Sequence, residues 1–226
     1  MLDLPEIDRA PSMTAQEYVY ARLRNAVMVG AVQPESPLTI RGLAAELGIS
    51  PTPIREALRR LSSERAIALL ENRRITIPEM TGPRFEEIVQ LRCALECHAA
   101  ARALPHVSAV LVDRMREVDD RMDAHVRAGD LDALTIDNHA FHSLLYTANP
   151  HQTVMPVIES VWLQLGPFQR RVLGGVERYY EVDRHKEILA ALEARDAGAL
   201  VAAIAADIRD GIERAGLAVL RGQAAQ

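Results

Sequence analysis

Two arginines and a threonine share one face of a short predicted helix near the first quarter of the chain. Thr52, Arg55 and Arg59 recur at helical spacing. The opposite face is apolar and consists of Ile54, Ala57, Leu58 and Leu61. A guanidinium group is a planar fork of donors that matches guanine edges and phosphate oxygens. This face predicts contact with DNA, and its alternative is a solvated surface helix in an ordinary helical corner.

The segment before this helix predicts a second helix and a tight turn. Its apolar face consists of Leu43, Ala44 and Leu47. Gly48 can end that helix in the left-handed conformation. Ser50 suits the N-cap of the next helix, and Pro51 suits its first position, where an N–H group is not needed. The pattern is that of a helix-turn-helix, whose second helix enters the major groove of DNA.

Two short runs rich in apolar and β-branched residues follow, at residues 66–70 and 74–78. They predict a two-stranded wing. Arg73 and Arg74 lie at its tip. Arginines at a wing tip suit contacts with phosphate or the minor groove. We therefore predict a winged helix-turn-helix.

A second group of polar residues lies in the C-terminal half, on segments with a helical pattern. Asn138 and His142 are four residues apart, so they share one helix face. His185 and Asp207 each lie among apolar residues of a later helix. Spacing leaves two interpretations open: a divalent-metal site, or hydrogen-bonded core histidines with Asp207 as their partner.

Length, composition and charge limit the class of protein to which this chain can belong. The 226 residues are 49% hydrophobic and 25% charged, with a net charge of −5. These values are ordinary for a globular protein and exclude one that coats nucleic acid indiscriminately. Residues 39–77 carry seven Arg and four Glu, a local charge of +3. A basic module on an acidic body predicts site-specific binding by that module.

No targeting or membrane segment is evident in the sequence. No apolar run approaches 18 residues, and the N-terminal residues lack a basic region followed by a hydrophobic core. Two cysteines, Cys93 and Cys97, are too few for a disulfide scaffold. We therefore expect a cytoplasmic protein. We interpret the two cysteines as small buried apolar residues and not as a redox pair.

The periodicity predicts a mainly α protein with two domains. We expect an N-terminal arm at 1–14, the winged helix-turn-helix at 15–78, a linker at 79–82 and an antiparallel helical bundle at 83–222. Besides the two helices of the helix-turn-helix, the predicted helices are 15–29 in the first domain and 83–104, 108–128, 131–148, 153–173, 177–195 and 197–221 in the second. Strand-like alternation is not evident after residue 78.

This order of domains resembles the GntR family of bacterial transcription regulators. It is most similar to the branch named after the fatty-acid regulator, whose ligand domain is a helical FCD bundle. The N-terminal resemblance rests on Leu43-Ala44-x-Glu46-Leu47-Gly48, Ser50-x-Thr-Pro-Ile-Arg-Glu-Ala-Leu58 and Arg60-Leu61. The C-terminal resemblance rests on Arg92-x-x-Leu-Glu96, Phe141-His142, Asn149 and His185-x-x-Ile-Leu189.

The resemblance implies which residues contact DNA. The family's positions correspond to Arg41, Ser50, Thr52 and Arg55, and helix geometry adds Arg59. Pro51 stands where the family often has Arg, and Arg74 stands where the wing usually has Gly. We therefore expect an operator preference different from that of the commonest members.

The resemblance also implies a metal and an effector site. Its divalent-metal positions correspond to Asn138, His142, His185 and Asp207, where the family usually has Asp, His, His and His. Two imidazoles, a carboxylate and an amide still suit Zn, Ni or Mn. Arg92 corresponds to a residue facing the effector cavity, where it would clamp a carboxylate; a salt bridge with Glu96 is the equal alternative.

The predicted function is ligand-responsive transcription regulation and not enzyme catalysis. A homodimer would bind a palindromic operator, and a small organic acid in the bundle would change its DNA affinity. One alternative is a TetR-type helical regulator, in which residues 66–78 would be helical. The other is an all-helical metalloenzyme, but paired Glu-x-x-His, His-Glu-x-x-His, phosphate-loop and Gly-x-Ser-x-Gly motifs are absent from the sequence.

Overall fold

The structure is a computed structural model that describes residues 4–32, 38–70, 75–174 and 184–224. The chain divides into two compact units. The first comprises Met1–Met80 with Trp162–Phe168, and the second comprises Thr81–Val161 with Gln169–Gln226. Within residues 1–80 of the first unit, the elements are α1 Ala15–Met28, α2 Ile40–Leu47, α3 Pro51–Ser63, β1 Ala68–Leu69 and β2 Ile75–Thr76.

The two predicted helices of the helix-turn-helix form where the sequence indicates. Gly48 ends α2 with a left-handed φ of 62°. Such a φ is readily adopted by glycine, which has no Cβ to clash. Ser50 is the N-cap residue of α3, but its side chain makes no capping hydrogen bond. Pro51, which lacks an N–H group, instead reduces the number of donors that need a cap.

The wing is a small antiparallel hairpin, which confirms the predicted winged helix-turn-helix. Ala68 pairs with Thr76 and Leu69 with Ile75, and Leu38 forms a further bridge to Ile75. Strands at this place contradict the TetR-type alternative. Arg73 and Arg74 lie outside the described residues.

The N-terminal arm is more firmly held than the sequence suggests. Leu4 is only 3% exposed and belongs to the apolar core of the first unit. Arg22 donates from Nη2 to the carbonyl of Leu4 at 3.0 Å. One buried apolar side chain and one backbone acceptor therefore hold the predicted N-terminal arm at Leu4. At the start of α1, Thr14 and Glu17 form a reciprocal capping box.

The second unit is helical throughout its described residues. Its elements are α4 Gly82–Ala103, a 3₁₀ turn Leu104–His106, α5 Ala109–Ala128, α6 Leu131–Tyr146, α7 Met155–Leu173, α8 Arg184–Glu193, α9 Ala197–Ile208, a π-helical segment Arg209–Glu213 and α10 Arg214–Ala224. In α7, residues 162–168 belong to the first unit. Gly129 ends α5 with a φ of 70°, as expected of a glycine after a helix.

Several helices of the second unit differ from the sequence expectation. Helix α6 ends at Tyr146, two residues before Ala148, and the predicted helix 197–221 contains the π-helical segment Arg209–Glu213. The described part of the predicted helix 177–195 is α8. Residues 175–183 lie outside the description. Among the described residues, none of the helices is both long and apolar enough to span a membrane.

Candidate functional site

The polar face of the helix-turn-helix is open to solvent. The residues that the sequence predicts to contact DNA and that the structure describes are all exposed, namely Arg41, Ser50, Thr52, Arg55 and Arg59. Arg59 lies 3.5 Å from Glu56, an exposed ion pair that contributes little to stability. The opposite side of α3 is buried, since Ile54, Ala57, Leu58 and Leu61 all lie in the core. The predicted division of α3 into an apolar and a polar face is confirmed.

A polar contact joins α1 to the end of α3 in the same unit. The Tyr20 hydroxyl donates to Glu64 Oε1 at 2.6 Å. The Arg60 guanidinium lies 3.7 Å from the centre of the Tyr20 ring and also bonds to Glu64. Partial burial, followed by the hydrogen bond and charge of Glu64, raises the pKa of Tyr20 to about 12. Tyr20 is therefore a neutral donor near pH 7, and it fixes the orientation of the helix that carries the exposed arginines.

The second unit brings together the four residues that the resemblance assigns to a metal. Nε2 of His142 lies 3.2 Å from Oδ2 of Asp207, and Nε2 of His185 lies 3.7 Å from Oδ1. The Asn138 amide nitrogen lies 3.4 Å from Nε2 of His185. One ligand atom each from His142, His185 and Asp207 can be chosen so that all three lie within 4.8 Å of one another.

Each imidazole is held from behind by a buried oxygen. Nδ1 of His185 lies 3.0 Å from Oδ1 of Asp119. Nδ1 of His142 lies 3.2 Å from the Tyr146 hydroxyl, which donates to Glu96 Oε2 at 3.1 Å. An ionised carboxylate can only accept, and a hydroxyl that donates elsewhere is left with its lone pairs. The contacts suit rings that donate from Nδ1 and direct Nε2 toward Asp207.

This arrangement demands positive charge at the centre of the cluster. Nε2 of His142 is buried and makes no hydrogen bond within the described residues, although Asp207 Oδ2 is near. The two groups are close enough for an ion pair without forming a hydrogen bond. With Nδ1 donating on both rings, each Nε2 faces the Asp207 carboxylate. Such a group of acceptors needs a proton or a cation between its members.

The ionisation of Asp207 fits the same conclusion. Burial works against its charge, but His142 first, and then His185 and Arg92, hold the pKa of Asp207 at about 2. Burial and the charge of Glu96 raise the pKa of Tyr146 well above its ordinary value, so Tyr146 keeps its proton. Two imidazoles and one carboxylate are a donor set that suits a divalent transition metal and leaves coordination positions open.

A cavity of about 60 Å³ adjoins the cluster. Its polar lining includes Arg92, Asn138 and Asp207, whereas Met122, Leu134, Leu173, Ile208 and Ile212 supply apolar surface. Arg92 is only 7% exposed and forms the predicted alternative salt bridge, with Nε 2.6 Å from Oε1 of Glu96. Burial opposes the charge of Arg92, but Glu96 outweighs it and raises the pKa of Arg92. Nε and Nη2 contact Glu96, so the salt bridge leaves other N–H groups of this side chain for the cavity.

The remaining candidate residues lie apart from this cluster. Cys93 and Cys97 are free and half-buried, and burial raises the pKa of both thiols, which disfavours reactive thiolates. His125 lies 3.2 Å from Asp137, which also accepts two hydrogen bonds from Arg121. These contacts join α5 to α6 and involve none of the four metal candidates.

The oxygens that hold the two imidazoles were not predicted from the sequence. Tyr146 is four residues after His142, so helical spacing could have identified it. Asp119 interrupts the buried stripe of α5, which includes Val118 and Met122. A single carboxylate within such an apolar stripe is a signal for a buried polar partner.

Comparison with known proteins gives the same two parts. The profile of bacterial regulatory proteins of the gntR family matches residues 15–77, and that of the FCD domain matches residues 87–210. The HTH-type transcriptional regulator McbR of Escherichia coli (strain K12) is 29% identical over 181 residues, 77% of this chain and 80% of that protein. The gluconate operon transcriptional repressor of Bacillus subtilis (strain 168) is 24% identical over 204 residues, 84% of this chain and 82% of that protein.

Solved structures share the fold. The E. coli McbR/YncC structure has a TM-score of 0.82 at 25% identity and covers 93% of this chain and 99% of its own. A putative GntR regulator from Rhodococcus sp. RHA1 has a TM-score of 0.74 at 22% identity, with 88% and 96% covered.

Proposed function

Since the chain belongs to the GntR family of bacterial regulatory proteins and carries an FCD domain, we propose that it is a metal-assisted sensor of a small organic acid. It is a DNA-binding transcription regulator, like the relatives it matches, and not an enzyme. In the proposal, a homodimer binds a palindromic operator in the bacterial cytoplasm, and the acid changes the DNA affinity.

The exposed face of α3 is the observation that supports DNA contact through named residues. Thr52, Arg55 and Arg59 are exposed, while the other side of the helix is buried in the core. Arg55 lies within the second helix of the motif and Arg41 at the start of the first. Both are exposed guanidinium groups, which suit guanine or phosphate. Two such helices, one from each protomer, would meet successive major grooves ~34 Å apart.

A mobility shift on DNA upstream of the protein's own gene tests this assignment. We expect Arg55→Ala to weaken binding by about ten-fold or more, since one good bidentate contact is worth about 1–3 kcal/mol. Arg114→Ala is the matched control, because Arg114 is an exposed arginine of α5 in the other unit. Equal affinity of Arg55→Ala and the wild-type protein would contradict the role of Arg55.

The cluster in the second unit supports the metal part of the proposal. His142, His185 and Asp207 would hold one divalent ion, with Asn138 beside them as a weak fourth oxygen donor. Bound there, the ion would supply a positive Lewis-acid point for an anionic ligand. The protein's own contribution is the buried position of the donors and the orientation of both rings by Asp119 and Tyr146.

Metal analysis of protein purified without a His-tag tests this part. We expect about one Zn, Ni or Mn ion per chain in the wild-type protein and a large loss in His142→Ala. His98→Ala is the matched control, since His98 is exposed on α4. Equal metal content in His142→Ala and His98→Ala would contradict the metal site.

The cavity supports a small carboxylate as the effector. Arg92 offers charged donors at one wall, and apolar side chains cover much of the rest. A buried guanidinium near a cation suits a carboxylate, because both supply positive charge in a poorly solvated site. A melting-shift screen of small carboxylates, with and without divalent metals, tests the class; a screen in which no acid raises Tm would contradict it.

A further inference from the structure

The C-terminal helical run changes its winding where it passes the cavity. The π-helical segment Arg209–Glu213 directly follows α9, which ends at Ile208. π turns are rare in proteins and are frequently found at functional sites. Here the segment and the end of α9 form one wall of the cavity, made of Asp207, Ile208, Gly211 and Ile212.

Gly211 is the residue of this wall that has no side chain. A Cβ atom built at Gly211 meets no heavy atom within 4 Å among the described residues. Gly211 is exposed and lines the cavity together with Asp207, so the space in front of it lies at the solvent-facing mouth of the cavity.

Neither the backbone nor the packing explains a glycine at this position. Gly129 adopts a left-handed φ of 70°, and a Cβ at Gly216 would lie 2.3 Å from Phe85 Cζ. Gly211 has neither feature: its φ is outside the left-handed region and its surroundings are open. Glycine weakens a helical run relative to alanine. What Gly211 does provide is an unfilled place in the cavity wall.

We propose that Gly211 is a specificity-determining residue, whose missing side chain sets how large an organic acid the cavity accepts. The inference rests on the proposed function, in which a carboxylate binds at Arg92 near the metal. The rest of the acid then lies along Ile208, Gly211 and Ile212, where a larger residue at position 211 would meet it. Long acids need this space, whereas the shortest acids fit without it.

Calorimetric titration of the Zn²⁺-loaded full chain with acetate, butyrate and hexanoate tests the inference. The proteins are the wild type, Gly211→Val and the control Gly222→Val. Gly222 is an exposed glycine of α10 whose Cβ would also meet nothing within 4 Å, but it does not line the cavity. We expect Gly211→Val to bind hexanoate about ten-fold more weakly than the wild type and acetate about equally. The control should bind all three acids as the wild type does.

Zn²⁺ titration and thermal melting of each variant separate binding from folding. We expect equal Zn²⁺ affinity in all three proteins. If Gly211→Val does not fold, Gly211→Ala replaces it, because it adds only a single methyl group to open space. We expect Gly211→Ala to lose less affinity, and to lose more for hexanoate than for acetate.

The outcomes distinguish the inference from the function on which it rests. If the wild type binds the acids and the position-211 variants bind hexanoate as tightly as the wild type does, the inference alone is overturned. The same holds if Gly222→Val loses as much hexanoate affinity as Gly211→Val. A wild-type protein that binds none of the three acids overturns both the inference and the carboxylate part of the proposed function.

Discussion

Asp119 of α5 and His185 of α8 form a buried pair, with Oδ1 of the acid 3.0 Å from Nδ1 of the ring. Both side chains are almost fully buried, at 4% and 1% exposed. The carboxylate accepts from Nδ1, so Nε2 is the ring nitrogen that faces Asp207. A carboxylate behind a ligating imidazole also makes the ring more basic, which strengthens its bond to a metal.

Removing the charge of Asp119 should weaken metal binding while the fold is kept. We expect Asp119→Asn to lower Zn²⁺ affinity about 10–100-fold, because the amide can still accept from Nδ1 but no longer polarises the ring. Competition with a chelator measures the affinity. Asp113→Asn on the same helix is the control, since the Asp113 side chain is 69% exposed and pairs with Arg116. Equal Zn²⁺ affinity in the two variants would contradict the role given to Asp119.

The low pKa of Asp207 predicts how stability depends on pH in the metal-free protein. Its folded pKa of about 2 lies below the ordinary 3.8. The ionised Asp207 carboxylate therefore stabilises the folded protein above pH 3.8, and this stabilisation is lost as the pH falls toward 2. A shift of this size corresponds to about 2 kcal/mol. We expect the difference in unfolding free energy between the wild type and Asp207→Asn to shrink by about that much between pH 5 and pH 2. A pH-independent difference in urea unfolding would contradict this.

The sequence predicts the DNA-binding half well, because its information is local. Gly48, Pro51 and the apolar and polar faces of α3 depend on residues a few positions apart. The wing follows from two short β-prone runs. Leu4 was missed because its burial depends on Arg22 and on a core formed by distant residues, which no local pattern in the arm reveals.

The candidate site could be predicted only in part. Asn138 and His142 follow from helical spacing, whereas His185 and Asp207 came from the family resemblance. Their meeting depends on the packing of separate helices, which spacing does not fix. The π-helical segment Arg209–Glu213 was also missed, because the sequence there continues a pattern that predicts an ordinary helix.

Replacing Gly216 of α10 with a residue that has a side chain should disturb the packing around it. A Cβ at this position would lie 2.3 Å from Phe85 Cζ, and both residues are buried. We expect Gly216→Ala to lower the unfolding free energy by about 1–3 kcal/mol, because the ring must move within a packed core. Urea unfolding measures the loss, and the double variant with Phe85→Leu should recover part of it. Gly222→Ala on the same helix is the control and should cause no loss.

The contact between Tyr20 and Glu64 predicts an alkaline dependence of stability. We expect Tyr20→Phe to lower the unfolding free energy by about 1 kcal/mol near pH 7, the typical value of a hydrogen bond. The folded pKa of Tyr20, about 12, exceeds the ordinary value of 10.0, so the contribution is fully present below pH 10 and is lost as the pH rises through 12. Urea unfolding of both proteins from pH 7 to pH 11 measures it. Tyr18→Phe is the control, since Tyr18 lies on the same helix and its hydroxyl accepts from Arg22. If the Tyr20→Phe difference were as large at pH 11 as at pH 8, Tyr20 would not be the hydrogen-bond donor that orients α3.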